Sequence, residues 1–135
     1  MKPEDTDTLV RYRLEQAQVA LNDAKYLLDG DRSPQSIINR AYYAMFYAVV
    51  ALLQRSGLIP SKHQGVIGLF DTQFVVPGIL PKELSRHLHK TFELRQVSDY
   101  KVSQFLTRAK AEEALVNATR FVEAIRKHLS ATPAP

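Results

Sequence analysis

Between Pro34 and Arg55 the chain reads PQSIINRAYYAMFYAVVALLQR, and apolar side chains fall on nearly every side of the helix this stretch predicts. Ile37, Ile38, Ala41, Tyr42, Met45, Phe46, Val49, Val50, Leu52 and Leu53 cover most of its circumference. A helix apolar all round belongs in the middle of a bundle. One stripe stays polar. Ser36, Arg40, Tyr43, Tyr47 and Gln54 recur at steps of four, three, four and seven, which sets them on one line along the helix. An arginine and two tyrosines thus leave a central helix in one direction, and the groove they face is the natural place for a site.

The flanking segments carry narrower seams. Val10, Leu14, Ala17, Leu21, Ala24 and Leu28 alternate steps of four and three and predict a helix from about Asp7 to Asp29, closed by Gly30. Ser33 caps the central helix and Pro34 takes its first position, while Gly57 and Pro60 end it. Ser61-Lys62-His63-Gln64 has the form of a capping box and opens a third helix to about Phe70 or Gln73. Pro77 to Pro81 reads as a loop. A fourth helix from near Pro81 to about Gln96 turns Leu84, Leu88, Thr91 and Phe92 to one face, and a break at Val97 to Tyr100 follows. The seam returns in Ala111, Leu115, Ala118, Val122, Ile125 and Leu129, on a fifth helix from about Ser103 to Leu129. No segment alternates, so no sheet is expected. The pattern predicts an all-α protein: a single antiparallel bundle of about five helices, four of them long, over residues 1–129, with a disordered tail at 130–135.

Composition narrows the function classes. A chain of 135 residues is long enough for one real core. The absence of cysteine removes disulfides, thiolate metal sites and thiol nucleophiles. The N-terminus, MKPEDTDTLV, is acidic and lacks the apolar core of a secretory signal. The apolar run from Ala41 to Leu53 is short for a membrane span, and a cytoplasmic protein with no membrane partner is expected. A formal net charge of +4 permits a nucleotide or RNA partner without demanding one. His87 and His89 are two apart and point to different sides of a helix, and His63 and His128 have no partner near them in sequence. No His-Glu-x-x-His, carboxylate cluster or glycine-rich phosphate loop is present, so neither a metal nor another cofactor is expected.

Three features remain as candidate chemistry. Arg95 follows Leu84, Leu88 and Thr91 on the inward line of the fourth helix, and a buried guanidinium needs a partner. Asp99 and Tyr100 are the nearest in sequence. Arg95 is either locked to Asp99 or presented by it to a phosphate. Lys62 and His63 stand in the first turn of the third helix, where free backbone N–H groups and two cations would make an anion site, or the two side chains simply splay into water. Arg40, Tyr43 and Tyr47 are either rim residues bonded to other helices or a surface that stacks on a base, bonds a ligand or meets a second subunit.

RAYYAMFYA from Arg40, Lys62-His63 at the next helix start and Arg95-Gln-Val-Ser-Asp-Tyr100, in that order, resemble the HEPN domain family of prokaryotes over residues 8–128. That resemblance implies an α-helical bundle, usually a homodimer, whose fourth helix ends at a composite cleft. Members include RNA-cleaving toxins and non-cleaving partners of minimal nucleotidyltransferases. The cleaving members carry an arginine followed after four to six residues by a histidine. Here Arg95 would be that arginine, and Tyr100, Lys101 and Val102 stand where the histidine would fall. RNA cleavage through the 2′-hydroxyl needs an acid or base near neutrality, which histidine supplies and neither Asp99 nor Tyr100 does. The leading expectation is therefore a nucleotide- or RNA-binding module acting with a separate minimal nucleotidyltransferase in a toxin–antitoxin or defence system. Arg40, Tyr43, Tyr47, Lys62, His63, Arg95, Asp99 and Tyr100 would bind, with Tyr100 a plausible acceptor of a nucleotidyl group. The alternatives are a metal-independent endoribonuclease using Arg95 and Tyr100, and a structural homodimerisation domain.

Overall fold

A computed structural model describes residues 2–58, 63–99 and 106–131, and the backbone alone for His63, Gln64, Ser98 and Asp99. In chain order the elements are α1 (Pro3–Asp29), α2 (Pro34–Arg55), α3 (His63–Phe70), a π-helical turn (Asp71–Val75), α4 (Lys82–Asp99) and α5 (Arg108–Ala131). Among the described residues there is no strand, and the all-α bundle stands.

Helix α2 touches every other helix. Ile38, Ala41, Tyr42, Ala44, Met45, Ala48, Val49 and Leu53 are wholly buried along it. By length and composition alone α2 could cross a membrane, but its apolar surface is taken up inside the bundle. Its ends follow the local rules. Ser33 Oγ accepts the Ser36 amide at 3.2 Å, and Gly57 at φ 76° closes the C-terminus, with Leu58 N bonded to Leu53 O at 2.8 Å. Helix α1 lies along α2 and buries Val10, Ala17, Ala20, Leu21 and Ala24, so its seam is as the spacing predicts. Phe70 of α3 meets Phe121 of α5 at 5.4 Å between centroids, which ties the short helix to the core.

Several boundaries differ from the sequence expectation. Helix α1 begins at Pro3 rather than Asp7, because Pro3 opens the helix and Glu4 and Asp5 suit the positive end of its dipole. It ends at Asp29 with Gly30 as its cap, as the sequence predicts, but Gly30 is not the left-handed residue. The left-handed residue is Asp31 (φ 57°), with Asp31 N bonded to Leu28 O and Arg32 N to Leu27 O. Arg108 holds that turn from the far side: its Nη1 donates to Asp31 Oδ1 at 2.6 Å and to Leu28 O at 3.3 Å. Helix α4 runs through Val97 and Ser98 to Asp99, where a break was expected. Helix α5 starts at Arg108 rather than Ser103, capped by Thr107 Oγ1 on the Lys110 amide at 3.2 Å, and it continues past Leu129 to Ala131 into the expected tail. The expected capping box at Ser61 and Lys62 lies outside the described residues.

The third helix also ends differently. Asp71 to Val75 widens into π-helical geometry instead of stopping, and Asp71 grips α4. Ser85 Oγ donates to Asp71 Oδ1 at 2.7 Å, and His89 Nε2 lies 2.6 Å from Asp71 Oδ2. His87 diverges from His89 as the spacing requires, 3.8 Å from Glu83. His128 meets the Phe74 ring edge-on at 6.3 Å.

Leu88, 1% exposed on α4, faces this core. The Leu88→Ala variant is expected to lose about 2–5 kcal/mol of unfolding free energy, read from urea denaturation, with secondary structure retained.

Candidate functional site

The polar stripe of α2 divides between two neighbours. Tyr43 turns toward α4. Arg95 Nη2 donates to the Tyr43 hydroxyl oxygen at 3.3 Å, and the Arg95 guanidinium carbon sits 5.2 Å from the centroids of both Tyr42 and Tyr43. Arg40 approaches the same Tyr43 ring, also at 5.2 Å. Its Nε and Nη2 donate to Asn39 Oδ1 at 3.1 and 2.9 Å, which fixes the guanidinium without neutralising it. Two cations therefore share one aromatic ring, each worth about 0.5–2 kcal/mol in attraction depending on how dry it is. Tyr47 packs on Tyr43 at 6.0 Å between centroids and, with Arg40, lines a groove of about 270 Å³ against Tyr12, Glu15, Val19 and Asp23 of α1.

Tyr42 supports this face from below. It was expected as a core residue, and it is wholly buried, but it also carries Arg95 on its ring. Phe92 leans on it at 5.5 Å. Burial pushes the Tyr42 phenol up to about 12, against the pull of the Arg95 charge and with a further push from Tyr43.

The site expected from sequence is brought together in part. Arg40, Tyr43, Tyr47 and Arg95 form one continuous face. Lys62 and Tyr100 lie outside the described residues, as do the side chains of His63 and Asp99, so the Arg95–Asp99 pairing and the anion site at the start of α3 fall there too. Asn39 and Tyr42 were missed. Asn39 is the neighbour of Arg40, a spacing that helical face arguments ignore. Tyr42 sits on the apolar side, and its hydroxyl was the only hint that it did more than fill space. Among the described residues no group of three or more His, Asp or Glu side chains is placed to hold a metal.

A family model described as HEPN domain matches residues 10–128. The chain belongs to the HEPN domain family. A UPF0332 protein of Thermotoga maritima is 37% identical over 123 residues, 91% of this chain and 92% of its own length. A Methanocaldococcus jannaschii protein named as a candidate toxin is 35% identical over 116 residues, 86% of this chain and 85% of its own. A UPF0332 protein of Gloeobacter violaceus is 30% identical over 131 residues, 96% and 99% of the two chains. In this HEPN domain Arg95 of α4 is thus set on two tyrosine rings of α2.

The phenol of Tyr42 predicts an alkaline limb. Folded, the group stays neutral up to about 12, whereas an unfolded tyrosine ionises near 10. Its contribution is intact below pH of about 10 and is lost as pH rises toward 12, a total of roughly 3 kcal/mol. Tyr42→Phe keeps the ring and cannot ionise. Urea unfolding of both proteins across that range should show the variant gaining on the wild type by about that amount, and parallel pH curves would refute the buried neutral phenol.

Proposed function

We propose that this HEPN domain is a cytoplasmic binding module for a nucleotide or RNA phosphate, working as a homodimer with a separate minimal nucleotidyltransferase in a toxin–antitoxin or defence system. The observation that carries this reading is the pair of guanidinium groups, Arg40 and Arg95, on the single ring of Tyr43. Guanidinium groups match phosphate oxygens bidentately, and the ring face of a half-buried tyrosine such as Tyr47 suits a stacked base. The relatives named as candidate toxins support a place in a toxin–antitoxin system.

The chemistry of the face favours binding over cleavage. Strand cleavage calls for a group that trades protons near pH 7. Tyr42, the phenol under Arg95, is moved away from that range, to about 12. The sequence places no histidine at the usual distance after Arg95. For a protein partner, α1 leaves Tyr12, Val19 and Tyr26 exposed at seven-residue steps, a stripe that a second helix would cover.

The test is fluorescence anisotropy with a labelled single-stranded oligoribonucleotide, for wild type and Arg95→Gln, with circular dichroism to confirm folding. Loss of one charge-assisted contact should weaken binding about tenfold or more and lower the salt slope by about one. Cleavage of the oligonucleotide by the wild type, lost in the variant, would establish an endoribonuclease instead. Unchanged RNA affinity would leave the homodimerisation domain as the reading. A tagged pull-down that recovers no nucleotidyltransferase would remove the partner.

A further inference from the structure

Three arginines from three helices meet at the C-terminal end of α2. Arg11 of α1, Arg55 of α2 and Arg126 of α5 line one groove of about 460 Å³, with Val10, Leu14 and Leu129 as its apolar walls. Arg55 follows Arg40 by fifteen residues on α2, about 22 Å along the helix axis, so this groove is separate from the Arg40–Arg95 face.

Two of the three are held in place by backbone carbonyls. Arg55 Nη1 donates to Leu129 O at 2.8 Å, in the last turn of α5. Arg126 Nη2 donates to Leu14 O at 2.9 Å, midway along α1. Each guanidinium gives one of its five N–H groups to these bonds. Among the described residues, neither side chain has a nitrogen that is buried and unbonded, so the other donors are open to solvent. Both side chains are half-buried. The carbonyls explain where the two guanidiniums sit, and they leave the charge uncompensated.

Among the described residues, no carboxylate lies at ion-pair distance from Arg11, Arg55 or Arg126. Asp7 and Glu15 each stand four residues from Arg11, the spacing at which helical ion pairs form, and Arg11 joins neither. Asp7 lines the groove as a single carboxylate beside three guanidiniums. Arg11 is exposed, and its side chain makes no hydrogen bond among the described residues. Nothing in the packing calls for its charge there. Like charges gathered beside apolar walls repel, because water screens them less than on an open surface. One anion seated among them relieves all three.

We propose that this groove is a binding site for a multiply charged phosphate group, held between Arg11, Arg55 and Arg126 without any reading of a base. A carboxylate is planar and fits one guanidinium fork. The oxygens of a tetrahedral phosphate point several ways and accept from forks that arrive on three helices. Among the described residues no aromatic ring lines the groove, so it offers no platform on which a base would stack. The di- or triphosphate of a free nucleotide and the successive phosphates of an RNA strand present the same chemistry. The site goes beyond the Arg95 face and does not depend on it.

The test is isothermal titration calorimetry at low salt with inorganic triphosphate, citrate and a single-stranded oligoribonucleotide. The proteins are the wild type, Arg11→Gln and Arg120→Gln, with circular dichroism to confirm folding. Arg120 is exposed and outside the groove, so its variant removes the same charge elsewhere. Triphosphate should bind the wild type more tightly than citrate. Arg11→Gln should weaken it about tenfold and Arg120→Gln should leave it nearly unchanged. A loss confined to the oligoribonucleotide, with a salt slope lower by about 0.7, would support the same phosphate site with RNA as the source. Arg95→Gln separates the two faces: RNA binding lost there but kept in Arg11→Gln belongs to the Arg95 face alone. The proposal is overturned if citrate binds as tightly as triphosphate, or if Arg11→Gln and Arg120→Gln behave alike toward both phosphate probes. A wild type that binds neither phosphate probe overturns it without any variant.

Discussion

The burial of α2 on every side is the constraint from which the rest of the structure follows. A helix with Ile38, Met45, Val49 and Leu53 wholly inside must be surrounded, and it touches each of the other helices. At roughly 1.5–3 kcal/mol for each large apolar side chain removed from water, no arrangement that exposes α2 competes. Polar residues on such a helix have few exits. They emerge where two covering helices part, and this decides where Arg40, Tyr43 and Tyr47 appear. The site is a by-product of incomplete covering: one seam opens against α1, the other against α4.

Arg95 meets the same constraint from the other direction. Its guanidinium enters a region of tyrosine rings, where a planar, weakly hydrated cation is tolerated far better than an ammonium would be. The faces of Tyr42 and Tyr43 offer partial negative charge without a proton to exchange. Tyr42 remains a neutral phenol in this setting because burial outweighs the nearby positive charge. The result is a cation held by electrostatics that do not titrate in the neutral range. Such a surface attracts anions and has little to give in proton transfer.

Much of this was legible from spacing alone. The four-three seams of α1 and α5 and the all-round apolarity of α2 identified the bundle, and the Ser33-Pro34 start of α2 was recovered to the residue. Boundaries set by tertiary contacts were not legible. Asp31 takes the left-handed position beside an available glycine because Arg108, 77 residues away, holds its carboxylate. The π-helical turn after Phe70 was hidden for a similar reason: its anchors, Ser85 and His89, lie on another helix. Within the site, the Arg40–Tyr43–Tyr47 line was visible because it obeys helical periodicity. Tyr42 was not, since it sits on a face read as apolar and only its environment shows what its polar atoms meet.

Asp71 illustrates how a distant contact can discriminate between otherwise similar packings. Its two oxygens engage Ser85 and His89, one turn apart on α4. Helices with greasy faces are prone to slide by whole turns, because leucine replaces leucine at little loss. Here a slip that carried His89 to the place of Ser85 would bring Glu93 to the place of His89, carboxylate against carboxylate. A slip the other way would offer Asp71 the proline at position 81, which has no donor. The pair thus works as a two-toothed register key. By fixing the axial position of α4, it sets the height at which Arg95 stands over the tyrosines of α2.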